Sequence, residues 1–149
     1  MRPTLTFVTI VFAFLSSIMA QHKSNFIEPQ ARSVAGKYAY KTHREGKGGF
    51  ENYLEVENKG NGKLYISFSG TYFYRAGRDE TFHEGNGEGD GRLKGNVATA
   101  ILTEEGGDGK CKVTLTFGNN QVTVKSVNCD LNVSPDGVYK REIKQRLLR

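Results

Sequence analysis

The residues able to do chemistry are few. They comprise Cys111 and Cys129, the histidines His22, His43 and His83, and the carboxylates Glu80, Glu84, Glu88 and Asp90. Two thiols in an exported chain form a disulfide, and closing a loop of this size stabilises the fold by about 3 kcal/mol. Their spacing fits neither a zinc site nor a Cys-x-x-Cys redox pair. No two histidines lie two or four positions apart, so a histidine metal site would need ligands from distant segments. His83 beside Glu84 could serve as an acid or base, but a surface or strand-end histidine is the commoner outcome. Glycoside hydrolysis needs two carboxyl groups about 5–9.5 Å apart, a distance that the acidic run does not fix. Hard oxygen ligands on a glycine-rich loop suit Ca²⁺, which makes Glu84, Glu88 and Asp90 candidate calcium ligands. Their Gly-Glu-Gly-Asp-Gly setting matches neither an EF-hand nor the repeated calcium-binding nonapeptide. There is no Gly-x-Ser-x-Gly elbow and no phosphate loop. The chain therefore reads as non-enzymatic, with no cofactor and no resident metal expected.

A second candidate is physical rather than catalytic. Tyr65, Tyr72, Phe73 and Tyr74 crowd one long strand segment and occupy both of its parities. Aromatic rings on both faces leave some exposed, so these four residues are the candidate binding surface. The competing reading buries them on both sides, partly under the N-terminal leader. Stacking of nucleic-acid bases on such rings is not expected of an exported chain.

The elements that must position these residues follow from the hydrophobic pattern. Arg2, the apolar run 7–15 and the small residues Ser16, Ser17 and Ala20 read as a secretory signal peptide over 1–20, cut after Ala20. The apolar run is too short for a membrane anchor, and no transmembrane segment is expected once it is removed. Residues 21–36 read as a flexible leader, 37–141 as a β domain and 142–149 as a basic C-terminal tail. The full chain of 149 residues carries a formal charge of +5. Lys140, Arg141, Lys144, Arg146 and Arg149 concentrate part of that excess at the end, which implies weak attraction to anionic surfaces.

Within the β domain, alternation predicts strands over 37–42, 50–57 and 63–74, with Leu54, Val56, Leu64, Ile66 and Phe68 inward. Lys59-Gly60-Asn61-Gly62 is a hairpin turn. Gly70 marks a bend or a close backbone approach. Residues 75–80 read as a charged connection, 81–84 as a short strand, and 85–91 as a glycine-rich loop or a strand edge bare of side chains. Residues 96–103 read as a strand buried in part on both faces. Residues 110–117 and 121–127 form a clean hairpin about Asn119-Asn120 that pairs Phe117 with Val122 and Leu115 with Val124. One bulge near Ser126-Val127-Asn128 brings Cys129 opposite Cys111. Residues 137–141 close the set, and 141–148 is a short helical candidate. Seven or eight strands with frequent turns predict an all-β fold, either a small antiparallel barrel or a sandwich.

Cys111-Lys112-Val113-Thr114-Leu115-Thr116-Phe117, Cys129, and Asp136-Gly137-Val138-Tyr139-Lys140-Arg141 form a recognisable arrangement, with His83-Glu84-Gly85 and Gly95-Asn96-Val97-Ala98 upstream. This resembles a broad group of small exported bacterial proteins of uncharacterised function, over roughly residues 38–141. The group carries a Cys-x-Leu/Val-x-Leu-x-Phe strand, a second Cys and a closing Asp-Gly-x-Tyr-x-Arg turn and strand. The resemblance implies a fold and an exported location, and no activity. In physical terms, Asp136-Gly137 suits a turn with positive φ at glycine, and Tyr139 can bury its ring with its hydroxyl on a carbonyl at the barrel end.

The functional expectation is an exported, non-enzymatic binding or structural module, secreted or periplasmic, acting on a protein or an envelope component. The alternatives are a carrier of a small apolar ligand inside a barrel, or a periplasmic inhibitor of an envelope-directed enzyme. The net positive charge weighs against inhibition of a basic target. Asn132-Val133-Ser134 is a glycosylation sequon made poor by Pro135.

Overall fold

A computed structural model describes residues 34–142. The signal peptide, His22, residues 21–33 of the leader, and residues 143–149, which hold most of the tail and of its helical candidate, lie outside the described residues. Eight strands form a closed antiparallel barrel in simple up-and-down order: β1 (Gly36–Lys41), β2 (Gly49–Gly60), β3 (Lys63–Ala76), β4 (Asp79–Lys94), β5 (Val97–Thr103), β6 (Lys110–Gly118), β7 (Gln121–Cys129) and β8 (Gly137–Arg141). β1 meets β8 to close it, through Tyr38 opposite Arg141 and Ala39 opposite Lys140. The antiparallel barrel and its disulfide match the sequence reading.

Tight turns close one end of the barrel. Asn61 and Gly62 take φ of 52° and 71°, the paired left-handed conformation that matches strand twist in a two-residue hairpin. The β6–β7 register pairs Phe117 with Val122 and Leu115 with Val124, as the turn arithmetic requires. The register then shifts between Cys111 and Lys112, with Asn128 left-handed at φ 53°. That bulge brings Cys129 opposite Cys111, and the disulfide forms across the pair, with Cα atoms 4.0 Å apart.

The core is the inward parity of every strand: Tyr38, Leu54, Val56, Leu64, Ile66, Phe68, Val113, Leu115, Val122, Val124 and Tyr139 are buried. Each such side chain contributes about 1.5–3 kcal/mol on leaving water. β5 corrects the sequence expectation. Ala98, Ala100 and Leu102 are buried, but Ile101 is 58% exposed, so only one face of that strand meets the core.

The larger correction concerns residues 75–80, which form no charged connection, while 81–84 is strand as expected and 85–91 is the bare strand rather than the loop. β3 and β4 are one long hairpin whose pairing runs from Lys63 opposite Arg92 to Ala76 opposite Asp79, joined by a two-residue turn at Gly77-Arg78. Gly85, Gly87, Gly89 and Gly91 take the inward positions of β4, in line with buried Leu93. They are bare because other parts of the protein fill their space. A Cβ on Gly85 would sit 2.7 Å from the backbone nitrogen of Val133, one on Gly87 would crowd Leu102 and Leu131 at 3.2 Å, and one on Gly89 would overlap the carbonyl oxygen of Ile101.

The filling piece is the β7–β8 connection, residues 130–136. It tucks Leu131 and Val133 into the barrel mouth against this glycine stripe and against Gly70, whose Cβ would meet Val133 Cγ1 at 3.0 Å. Buried Asn52 donates from Nδ2 to the Ser134 carbonyl at 3.1 Å, and Tyr139 donates its hydroxyl to the Pro135 carbonyl at 2.7 Å. Asp136 Oδ1 accepts the Ser126 N–H at 2.5 Å. Tyr139 thus fills the role that its sequence position suggests. Desolvation by burial raises its pKa above the usual phenol value, with a smaller opposing effect from the hydrogen bond with Asn52. The glycine at 137 answers to close approach, since a Cβ there would lie 2.8 Å from Tyr40 Cδ1.

Candidate functional site

β4 runs past β5. Their pairing starts at Glu88 opposite Thr103 and ends at Lys94 opposite Val97, so among the described residues the 79–87 stretch of β4 has a strand neighbour on the β3 side only. On the other flank, β2 follows β3 as far as Gly49 opposite Phe73. The result is a three-stranded wing that projects from the barrel mouth beside the disulfide end of β6–β7.

Both faces of the wing are aromatic. On the face continuous with the barrel interior, rings follow one another from Tyr139 to Tyr40 (5.7 Å between centroids), Tyr40 to Phe50 (6.4 Å), Phe50 to Tyr72 (4.7 Å), Tyr72 to Tyr74 (5.9 Å) and Tyr74 to His83 (4.9 Å). On the outer face His43 stacks on Phe73 at 4.0 Å, and Phe73 meets Phe82 at 6.0 Å. Tyr72 is 37% and Phe82 53% exposed, large values for rings this apolar.

His43 reaches this face from the β1–β2 connection. Its Nδ1 lies 3.2 Å from Glu51 Oε1 and its Nε2 3.3 Å from Glu80 Oε2, which ties the connection to strands on both sides of Phe73. Gly48 lets it lie close, because a Cβ there would sit 2.6 Å from the Phe73 carbonyl oxygen.

Of the four aromatic residues singled out from the sequence, the structure brings three together. Tyr72 and Tyr74 share the inner face, and Phe73 lies on the outer face under His43. Tyr65 is eight residues away along β3, roughly 26 Å at strand rise, and belongs to a different neighbourhood. Its hydroxyl donates to Glu88, and the Lys59 ammonium sits 5.2 Å above its ring. The hydrogen bond to Glu88 is the main reason that its pKa is pushed up to about 12. Phe50, Phe82 and His43 complete the wing. Phe82 joins them through the hairpin register, which sets it opposite Phe73.

The acidic residues form a row, not a cage. Glu80, Glu84, Glu88 and Asp90 all take outward positions on β4, and Glu84 and Asp90 are six residues or roughly 20 Å apart. Adjacent residues point to opposite faces, so His83 and Glu84 do not meet. Among the described residues, no group of three or more His, Cys, Asp or Glu side chains is placed to hold a metal ion. Glu84 and Asn86 instead line an open groove of about 350 Å³ with Glu51, Ser69, Thr71 and Glu104. Glu55 and Glu57 add to the carboxylates on the β2 side of β3. Those two are balanced by Lys37 and Lys59, at 3.1 and 2.6 Å, so the acidic excess is the β4 row, while Lys110, Lys112, Lys125 and Lys140 mark exposed positions on β6 to β8.

No family model, curated protein or solved structure matches this chain. The functional reading rests on its own geometry. Among the described residues no helix is long and apolar enough to cross a membrane.

Proposed function

We propose that this chain is an exported, non-enzymatic binding module that meets its partner through the aromatic wing of β2, β3 and β4. The observation carrying this reading is the uncovered set of stacked rings on that wing, above all Phe82 and Tyr72. Burying aromatic area is among the strongest sources of binding energy. Among the described residues no segment crosses over these rings. The disulfide supports an oxidising compartment outside the cytosol.

The tightly filled barrel interior supports an exterior contact. Tyr38, Phe68 and Tyr139 are among the largest fully buried side chains, and Leu131 and Val133 close the mouth. A carrier needs a dry cavity of at least ~300 Å³. The row of outward carboxylates on β4 favours a second reading, inhibition of a cationic envelope-directed enzyme, because local charge as well as net charge sets attraction.

The test is selection of binding peptides from a random display library on the immobilised mature protein. Enriched peptides should lose binding to the Tyr72→Ser/Phe82→Ser variant and keep it to Ile101→Ser/Val127→Ser, which alters exposed apolar residues elsewhere. Peptides indifferent to the wing substitutions, with both variants folded, would refute the assignment.

A further inference from the structure

The wing offers more than side chains. The β3–β4 hairpin closes on Ala76 opposite Asp79 through a two-residue turn, with Gly77 at φ 72°. In such a hairpin the closing pair exchanges backbone hydrogen bonds, and pairs then alternate. Thr81 and His83 therefore bond across to Tyr74 and Tyr72, while the N–H and C=O groups of Glu80, Phe82 and Glu84 point away from β3. The parity is confirmed at the far end, where the Leu93 N–H donates to the Gly62 carbonyl at 2.8 Å, as an odd-numbered residue of β4 should. Among the described residues no strand lies on that side of residues 79–87. Donors and acceptors left on an open edge are a template for another strand.

The side chains along this edge say what kind of strand fits. Glu80, Phe82 and Glu84 are exposed on the outer face, with Glu88 continuing the row below and Glu104 across the groove. Arg75 of β3 stands directly opposite Glu80, whose Oε2 also lies 3.3 Å from His43 Nε2, so Glu84 and Glu88 carry most of the charge offered to a partner. On the inner face stand Thr81 and His83, with Tyr74 stacked on His83. A second copy pairing antiparallel along the same edge would set glutamates of both copies on one face, which is unfavourable. An extended segment with cationic side chains outward and apolar ones inward meets carboxylates on one face and aromatic rings on the other.

We propose that the residue 79–87 edge of β4 binds a cationic extended peptide segment by strand addition. This deepens the wing reading above and rests on it. The peptide's outward residues lie opposite Glu80, Phe82 and Glu84. They share both face and hydrogen bonds with those residues, while its inward residues turn their own N–H groups to solvent.

The test is titration of the ¹⁵N-labelled mature protein with an octapeptide of alternating Lys and Val. Expected are saturable shifts and slowed exchange at the Glu80, Phe82 and Glu84 amides. The matching Glu-Val peptide should bind weaker by roughly tenfold or more, and Glu84→Lys should narrow that gap. N-methylation of the Lys amides should abolish binding, whereas N-methylation of the Val amides should be tolerated. If methylation of the Lys amides is as harmless as that of the Val amides while shifts stay on the wing, strand addition is wrong and the aromatic wing still stands. If the Lys-Val peptide leaves the wing unchanged, the inference fails, and the display selection judges the wing separately. Protection of these amides that grows with protein concentration in the absence of peptide would mean a second copy occupies the edge, and would also overturn it.

Discussion

The two halves of this barrel solve the same problem with different amounts of chain. β5 to β8 are no longer than the barrel needs: Val97–Thr103, Lys110–Gly118, Gln121–Cys129 and Gly137–Arg141. Their inward residues are aliphatic or aromatic, their outward ones lysine, threonine and valine, and a disulfide locks the open end of the β6–β7 hairpin. β3 and β4 run to Lys63–Ala76 and Asp79–Lys94. The excess length lies where glycines replace core side chains, where the carboxylates line up and where aromatic rings stay uncovered. Beyond Gly85, toward the hairpin turn, the extra length adds little to the packing of the barrel, and it exposes apolar rings and an edge unpaired among the described residues. That asymmetry separates the half that holds the fold from the half to which the proposed function assigns the partner.

The comparison can be broken most severely at the glycine stripe. Gly89→Val should cost about 3 kcal/mol or more, because overpacking a closed site forces backbone movement and its Cβ would overlap the Ile101 carbonyl. Gly95→Ala, at a turn with open space around it, should cost only what positive φ charges an alanine, about 1 kcal/mol. Urea unfolding of both variants checks this, and equal losses would mean that β4 does not press against β5 as described.

A smaller effect sharpens the role of the mouth-closing segment. The pKa of Tyr139 is raised in the folded protein, so its contribution is fully present below the ordinary phenol value near 10 and is lost as pH climbs above it. Tyr38, also raised by burial and partly offset by Arg141, acts in the same direction. Stability measured from pH 8 to 12 should fall, and Tyr139→Phe should flatten that fall. At neutral pH the same substitution should cost about 1 kcal/mol for the hydrogen bond to Pro135. An unchanged alkaline slope in the variant would show that Tyr139 is not held neutral by burial.

Much of this was legible from the residues. Asn61-Gly62 and Asn119-Asn120 set the registers of their hairpins, and counting back from the second turn required the bulge that joins Cys111 to Cys129. β4 was harder to read. A strand is recognised by apolar residues at every second position, and here those positions hold Gly85, Gly87, Gly89 and Gly91, which carry no hydropathy signal. The period of two was nonetheless present, in glycine alternating with Asn86, Glu88, Asp90 and Arg92 and running into Leu93. What the glycines accommodate is Leu131 and Val133, more than 40 residues later, a contact that no local pattern contains. The same gap split the site: Tyr72, Phe73 and Tyr74 stood out as a cluster, whereas Phe82 joins them only through the hairpin register, and Tyr65 belonged with Glu88 instead.

The open strand edge is the central claim, and amide hydrogen exchange of the free protein tests it most directly. Thr81 and His83 should exchange slowly, because their N–H groups bond to β3, while Glu80, Phe82 and Glu84 exchange fast. Uniformly rapid exchange over residues 79–87, or equal protection of both sets, would contradict it.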